Sequence, residues 1–204
     1  MDILKPFLTI LIAVIVYGVV HSFLASLWLK ARLRHLFGAE FDRAYRLIYN
    51  GFAVISLVPV LALLALFPDR TIYSIPFPWM LINLAIQGLA LVALAFGVWQ
   101  TGLLAFLGLE QFMKPPSKKR PKLVVRGLYR YVRHPLYTAG LVLIWFTPVM
   151  TLNVFALNLG LTFYLLVGAL VEERKLVQEY GAAYEEYANK TPMFLPGLSS
   201  KPGE

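Results

Sequence analysis

Residues 126–140 read Arg126-Gly-Leu-Tyr-Arg-Tyr-Val-Arg-His-Pro-Leu-Tyr-Thr-Ala-Gly140, and from Leu136 the chain stays apolar as far as Val171, with breaks near Thr147-Pro148 and Asn153. The apolar run reads as a tight helical hairpin of two membrane spans. Its first arm is short, about 15 residues against the roughly 20 that a span needs. Proline suits the first turn of a helix, so a helix is predicted to start at Pro135 with His134 at its cap. Backbone N–H groups at such a start are unpaired and carry partial positive charge. Arg130, Arg133 and His134 add donors at the same place, and Gly127 permits a turn or a close backbone approach. The stretch therefore predicts a polar pocket at a membrane surface, suited to carboxylate or other acceptor oxygens, with a cavity at the start of the short arm. Arg126 and Arg130 also fit a second role, as anchors at the headgroup level. An anchor needs no glycine, proline or histidine, which singles out the His134-Pro135 segment.

The rest of the chain agrees with a membrane setting. Of its 204 residues 59% are hydrophobic and 15% charged, less charge than a soluble domain of this size carries. There is no cysteine, which excludes disulfides, thiolate metal sites, cysteine nucleophiles and iron–sulfur clusters. The net charge of +8 is distributed as anionic headgroups and membrane topology require, not as a nucleic-acid patch.

Upstream, Pro6–Leu29 is the first predicted span; the cations Lys30, Arg32 and Arg34 follow it, where a signal peptide would have them first. Gly18, Ser22 and Ser26 form a small-residue seam for helix packing. His21 lies beside the seam, and it is either an intramembrane functional residue or one end of an interhelical hydrogen bond. Lys30–Arg46 is predicted as a polar connector with a turn at Gly38 and a solvated His35. Leu47–Phe67 is the second span, kinked at Pro59. After the loop Pro68–Pro78, a third apolar run extends from Trp79 to about Leu107, longer than one bilayer thickness. Gln100 in this run either lines the pocket with His134 or makes an ordinary interhelical bond. Glu110–Leu123, with its prolines and cations, reads as a surface loop.

Downstream, the helical pattern continues past the hairpin. Leu176, Val177, Tyr180, Tyr184 and Tyr187 form an apolar stripe at three- and four-residue spacing, a packing face ended by Pro192 and Pro196. Glu172 and Glu173 fall at the junction of span and polar helix, where ionisable groups are costly unless paired. If the hairpin closes, they return to Arg133 and His134, as salt-bridge partners or as part of a site. The predicted fold is all-α: one membrane domain over 1–204, a polytopic helical bundle of five transmembrane helices, with a C-terminal helical hairpin and a cytoplasmic amphipathic helix. Five spans place 17 of the 19 basic residues on one side and 2 on the other. The positive-inside rule then puts the C-terminus and the pocket in the cytoplasm and the N-terminus outside, in the cell inner membrane if the source is bacterial.

Two motifs now stand together: Gly-x-Tyr-x-x-x-Arg-His-Pro-x-Tyr-x-x-Gly at 127–140, and Glu-Glu-x-x-Leu-x-x-x-Tyr-Gly-x-x-Tyr-x-x-Tyr at 172–187. The pair resembles the membrane methyltransferases that include isoprenylcysteine carboxyl methyltransferases and phospholipid N-methyltransferases. The N-terminal part, with His21-Ser22 and Tyr45–Asn50, is similar to the NnrU-type branch of small membrane proteins. The resemblance implies three N-terminal spans over 1–112 and a cofactor-binding half over 113–197. It implies an S-adenosylmethionine site at Val124, Gly127, Tyr129, His134, Pro135, Tyr137, Glu172 and Glu173, with Arg133 and Glu173 as the catalytic pair and no metal. A carboxylate can pair the cofactor's ammonium, cationic donors its carboxylate, and aromatic faces its sulfonium. Gln100 and Lys190 are the substrate-side candidates. Prenylcysteine enzymes carry an arginine where Lys190 stands, so a lipid amine, a thiol or another small amphiphile enters beside a carboxylate as the acceptor. The implied partners are membrane lipids and a lipophilic small-molecule acceptor, with no nucleic acid. Two rival readings are an NADPH-dependent membrane reductase of related architecture and a haem-binding membrane protein using His21 with His35 or His134.

Overall fold

The computed structural model describes residues 4–113 and 123–197, apart from the side chains at 39, 40, 42 and 111. The cationic loop of 114–122 and the charge at Lys201 lie outside the described residues. The described chain is mostly helical, and four helices are long and apolar enough to cross a membrane: Leu4–Leu24, Arg43–Leu66, Met80–Thr101 and Leu152–Tyr180. The chain is an integral membrane protein. It divides into two compact units.

The first unit holds α1 (Leu4–Leu24), α2 (Leu27–Leu66), β1 (Thr71–Ser74), two short helices, β2 (Val149–Thr151) and the first half of α7 (Leu152–Tyr180). The first apolar run stops at Leu24, because Ser26 caps the next helix by accepting the Leu29 N–H at 3.2 Å. The expected polar connector Lys30–Arg46 is helical. Its leucines, alanines, lysines and arginines favour helix, and only Gly38, at φ 80°, interrupts α2. Pro59 stays inside α2. Small residues set the closest approaches. A Cβ on Gly160 would lie 2.7 Å from Val14, and one on Gly18 would lie 2.9 Å from the Tyr164 ring. Around them Ile10, Val14, Val60, Ala156 and Leu157 form a buried core.

Two features depart from the sequence-based expectation. β1 and β2 pair antiparallel into a two-stranded ribbon. Thr71, Ile72, Val149 and Thr151 are β-branched and suit strands. Asn153, 1% exposed, fastens the ribbon by donating to the carbonyls of Phe67 and Pro68, while its own N–H donates to Asp69 at 3.1 Å. Second, the long third run does not reach Leu107 as one helix. Gly102 (φ 90°) and Gly108 (φ 89°) cut it into α3 (Met80–Thr101), α4 (Leu103–Leu107) and α5 (Leu109–Met113). Asn50 then donates to the end carbonyls of Phe106 and Leu107 at 3.0 and 2.9 Å.

The second unit holds α3, a 3₁₀ turn at Gly127–Arg130, α6 (Pro135–Trp145), the rest of α7 and α8 (Ala182–Lys190). The first arm of the expected hairpin is only this 11-residue α6, because β2 takes the residues that would have lengthened it. Five spans therefore reduce to four long helices and one short apolar helix. The polar groups of α3 serve the C-terminal end of α6: Gln87 donates to Leu143 at 2.7 Å and Asn83 to Phe146 at 3.2 Å, filling carbonyls that a helix end leaves open. Gly97 packs so tightly on Leu136 that a Cβ there would lie 2.6 Å from its methyl group. The helical stripe of the tail is also cut. Gly181 turns at φ 55°, so α7 stops at Tyr180 and α8 begins on a new axis.

Candidate active site

Pro135 occupies the start of α6 and His134 its cap, as the sequence predicts. The N–H groups of Arg133 and His134 are spent on the C-terminal tail, donating to Pro192 at 2.9 Å and Met193 at 3.1 Å. Thr138 Oγ1 lies 3.1 Å from the His134 carbonyl and 3.0 Å from that of Phe194. The tail is thus stitched along the Arg-His-Pro segment through its backbone, independently of side-chain charge.

Arg133 and Glu173 meet at two points, Nε to Oε1 at 2.6 Å and Nη2 to Oε2 at 3.1 Å. The remaining arm of the guanidinium, Nη1, donates to the carbonyls of Ala188 and Thr191 at 2.7 and 2.8 Å. These are end carbonyls of α8, and a cation there also suits the negative end of that helix. One side chain therefore ties α6, α7 and α8 together. It is nearly buried, and a charge in such a place must be paired to persist.

His134, 5% exposed, stacks on Tyr137 with ring centroids 5.3 Å apart and planes at 9°, and Phe194 covers it at 5.8 Å. Its Nε2 sits 3.1 Å from Glu173 Oε1. That oxygen is already an acceptor for Arg133, so the histidine proton belongs on Nε2. The other nitrogen, Nδ1, faces Glu172 Oε2 at 3.9 Å. Glu172 Oε2 also accepts from the Tyr137 hydroxyl at 2.7 Å. The gap between Nδ1 and this carboxylate oxygen is a notch beside the start of α6. The two glutamates differ sharply: the Glu173 side chain is 20% exposed and fully engaged, that of Glu172 is 47% exposed.

The tyrosines of the tail, expected only as a packing stripe, complete the site. Tyr184 is 1% exposed with its hydroxyl beside Glu173. Burial first, and then that carboxylate, push its ionisation upward against the pull of Arg133. Tyr187 donates to the Tyr129 carbonyl at 2.6 Å. Its pKa is pushed up to about 12 by burial, with Arg133 opposing and Tyr129 and Glu173 adding. Tyr129 is raised as well, by burial and then by Glu172. The sequence signal for these contacts was the spacing of Tyr184 and Tyr187 after Glu173, which a stripe explains equally well.

The other candidates are placed as follows. Gly127 has φ 64°, and a Cβ there would overlap the Gln100 amide, whose Oε1 accepts the Leu128 N–H at 3.3 Å. Gln100 thus supports the 3₁₀ turn from beneath. Val124 is half-buried ahead of that turn. Lys190 pairs with Glu186 at 2.6 Å on the exposed face of α8. His21 bonds Tyr49 and lies among the rings of Tyr17 and Tyr164. A bis-histidine haem axis has no support in this arrangement, nor has a nicotinamide site.

Residues 80–183, half of the chain, match the family model described as phospholipid methyltransferase. A methanethiol S-methyltransferase of Pseudomonas sp. (strain GM41(2012)) is 34% identical over 165 residues, covering 74% of this chain and 60% of the relative. A methanethiol S-methyltransferase of Pseudomonas deceptionensis is 41% identical over 76 residues, 37% of this chain and 29% of the relative. A protein-S-isoprenylcysteine O-methyltransferase of Schizosaccharomyces pombe is 30% identical over 146 residues, 62% of this chain and 58% of the relative. The chain spans less than two thirds of the length of each of these curated relatives. No solved structure matches it. The matched region contains both the Arg-His-Pro segment and the glutamate pair, and the chain belongs to the phospholipid methyltransferase family.

Proposed function

We propose that the protein is an S-adenosylmethionine-dependent methyltransferase of the membrane, acting on a lipophilic or small amphiphilic acceptor. The observation that carries this reading is the notch between His134 Nδ1 and Glu172 Oε2, 3.9 Å wide, at the N-terminal end of α6. Its donor set fits the cofactor. With the imidazole neutral, Nδ1 and Glu172 Oε2 are two acceptors for an ammonium, and the stacked rings of Tyr137 and His134 offer a face for a sulfonium. The positive end of α6 favours a carboxylate.

When bound, S-adenosylmethionine supplies an electrophilic methyl group whose sulfur leaves as a neutral thioether. Each residue then has its own task. Glu172 binds, because its carboxylate is half-exposed and has acceptor capacity beyond the Tyr137 bond. Tyr137 orients Glu172. Glu173 holds His134 in the Nε2–H tautomer, which keeps the Nδ1 lone pair in the notch. Arg133 is a positioning residue: all three of its nitrogens are engaged, so it fixes Glu173 and clamps α8 rather than reaching a ligand. Gly127 and Tyr129 shape the wall before α6, Val124 leads into it, and Pro135 starts the helix without wasting an N–H. Holding donor and acceptor in line supplies most of what methyl transfer needs. A thiol or ammonium acceptor must also lose a proton for the transfer to proceed.

The reading extends to the whole chain. The short α6 counts as a fifth, shallow membrane segment returning through the ribbon to α7. The notch then lies on the cytoplasmic side, where the sequence places 17 of the 19 basic residues. The 113–197 segment, together with α3, is the cofactor half of one membrane domain. Calorimetric titration of the purified protein with S-adenosylhomocysteine, with NADPH as the parallel titrant, tests the proposal. Binding of the first alone supports it. Binding of NADPH alone, or of neither, sinks it.

A further inference from the structure

In the first unit, the opening stretch of α2, residues 27–37, is a helix where a connector between two spans was expected. Ser26 caps its start, and Gly38, at φ 80°, ends its regular course. At 1.5 Å per residue the stretch is about 16 Å long. Its apolar residues fall on one stripe: Leu29, Leu33, Leu36 and Phe37 occupy positions i, i+4, i+7 and i+8 of a helix. Leu29 and Leu33 are half-buried, whereas Leu36 is 71% and Phe37 62% exposed. Cations flank the stripe, Lys30 and Arg34 along one edge and Arg32 along the other.

Both ends of the stretch are tied to spans. The span before it ends at Leu24, and the span after it runs from Arg43. The stripe is therefore held at the membrane surface, where lipid covers what the protein leaves exposed. Trp28 marks the depth. Its ring lies 6.1 Å from that of Phe23 in the last turn of α1, and the Arg32 guanidinium sits 5.3 Å from its centroid. An amphipathic ring at the end of a span suits the headgroup level. Long cationic side chains lay their stems along apolar surface and carry their charge out to the headgroups. Residues 27–37 contain three cations and no acidic residue. The stretch therefore complements a leaflet of net negative charge better than a zwitterionic one.

We infer that residues 27–37 form an interfacial helix that binds anionic phospholipid, with the stripe Leu29, Leu33, Leu36 and Phe37 at the boundary of headgroups and acyl chains and Lys30, Arg32 and Arg34 on the lipid phosphates. Ala31, opposite the stripe, faces water. The site lies wholly within the first unit and stands whether or not the protein transfers methyl groups.

Two measurements on the full chain test this. The chain has no cysteine, so a single nitroxide at Leu36→Cys or at Ala31→Cys reports depth in nanodiscs of phosphatidylglycerol and phosphatidylcholine. The label at 36 should be reached by oxygen dissolved in the lipid and the label at 31 by a water-soluble nickel chelate. Equal access of the chelate to both would show that the stripe stands clear of the bilayer, as a docking face for a protein would, and overturns the assignment. The second measurement is native mass spectrometry of the detergent-purified protein at low salt, titrated with phosphatidylglycerol or phosphatidylcholine of the same chains. Each cation near an anionic surface is worth about fivefold in affinity. Wild type should prefer phosphatidylglycerol, and Lys30→Gln/Arg32→Gln/Arg34→Gln should lower that preference at least tenfold. Arg32→Lys/Arg34→Lys, which keeps the charge, should retain it. An unchanged thermal midpoint shows that each variant is folded. Equal binding of the two lipids by wild type overturns the proposal, and so does an undiminished preference in the neutral variant.

Discussion

Arg133 and Glu173 face each other across 40 positions of sequence and join at two points, 2.6 and 3.1 Å. The pair brings the start of α6 onto the middle of the second unit's half of α7, and through Nη1 it also holds the end of α8. Removing the arginine leaves the largely buried Glu173 carboxylate without its guanidinium and opens the α8 end carbonyls that Nη1 filled. Arg133→Ala is therefore expected to destabilise the protein by about 3–5 kcal/mol. Arg133→Lys keeps the charge but loses the fork and the α8 carbonyls together. Thermal unfolding in one detergent should rank wild type above Arg133→Lys and Arg133→Lys above Arg133→Ala. Equal midpoints for all three would mean the clamp does not hold the helices.

The neighbouring carboxylate behaves differently. Glu172 is half-exposed; among the described residues its carboxylate accepts from Tyr137 and faces His134 Nδ1 at 3.9 Å. Glu172→Gln should leave the unfolding midpoint within the range of an ordinary surface change, about 0.5 kcal/mol. It should weaken S-adenosylhomocysteine binding at least tenfold, about 1.4 kcal/mol. Titration of this variant beside Glu173→Gln separates the roles: a binding defect alone at Glu172, and a stability defect at Glu173. A Glu172→Gln protein with unaltered affinity would remove Glu172 from the site.

Tyr187 gives the pH prediction. Its folded pKa lies near 12, above the ordinary tyrosine value of about 10. The neutral phenol is thus preferred in the folded state. Its contribution is complete below pH about 10 and is lost as pH rises through about 12. Tyr129 is raised in the same direction, so the two act together. The unfolding midpoint should fall more steeply above pH 10 in wild type than in Tyr187→Phe. At neutral pH the same variant loses one hydrogen bond to the Tyr129 carbonyl, about 1 kcal/mol. Parallel alkaline curves would show that Tyr187 is not a source of the loss.

Gly127 combines a positive φ with a neighbour in the way. At φ 64° a side chain is strained by about 1–2 kcal/mol, and a Cβ would also overlap Gln100. The two costs separate in a double-mutant cycle. Gly127→Ala should be destabilising, Gln100→Ala mildly so through the lost bond to Leu128. The double variant should recover the overlap but not the strain. Strict additivity of the two single changes would show that Gln100 simply moves aside.

The cap at His134 was legible because proline leaves a helix few choices, and the glutamate pair was legible because charges at a span's end demand partners. The pairing of Glu173 with Arg133 is a contact between segments 40 positions apart, which neither segment shows by itself. The division of labour between Glu172 and Glu173 was not legible. Adjacent identical residues carry no sequence signal of which one turns inward, and burial alone separates them. Tyr184 and Tyr187 were read as a stripe because helical spacing is the same for packing and for a site. Gly181 breaks that stripe into two helices, and only the break brings Tyr187 to Tyr129.

By itself the sequence determined a helical membrane protein with a cationic, aromatic segment capping a helix opposite two glutamates. Hydrophobic run length, helix caps and the cost of unpaired charge are local or compositional effects. The tertiary structure decided what those effects leave open. Glycines at 38, 102, 108 and 181 set where long runs bend or stop. A short β-ribbon shortens the hairpin's first arm to 11 residues. The tail is stitched over His134 through backbone bonds. Each of these depends on which surfaces meet, and that is fixed by close packing between segments far apart in the chain.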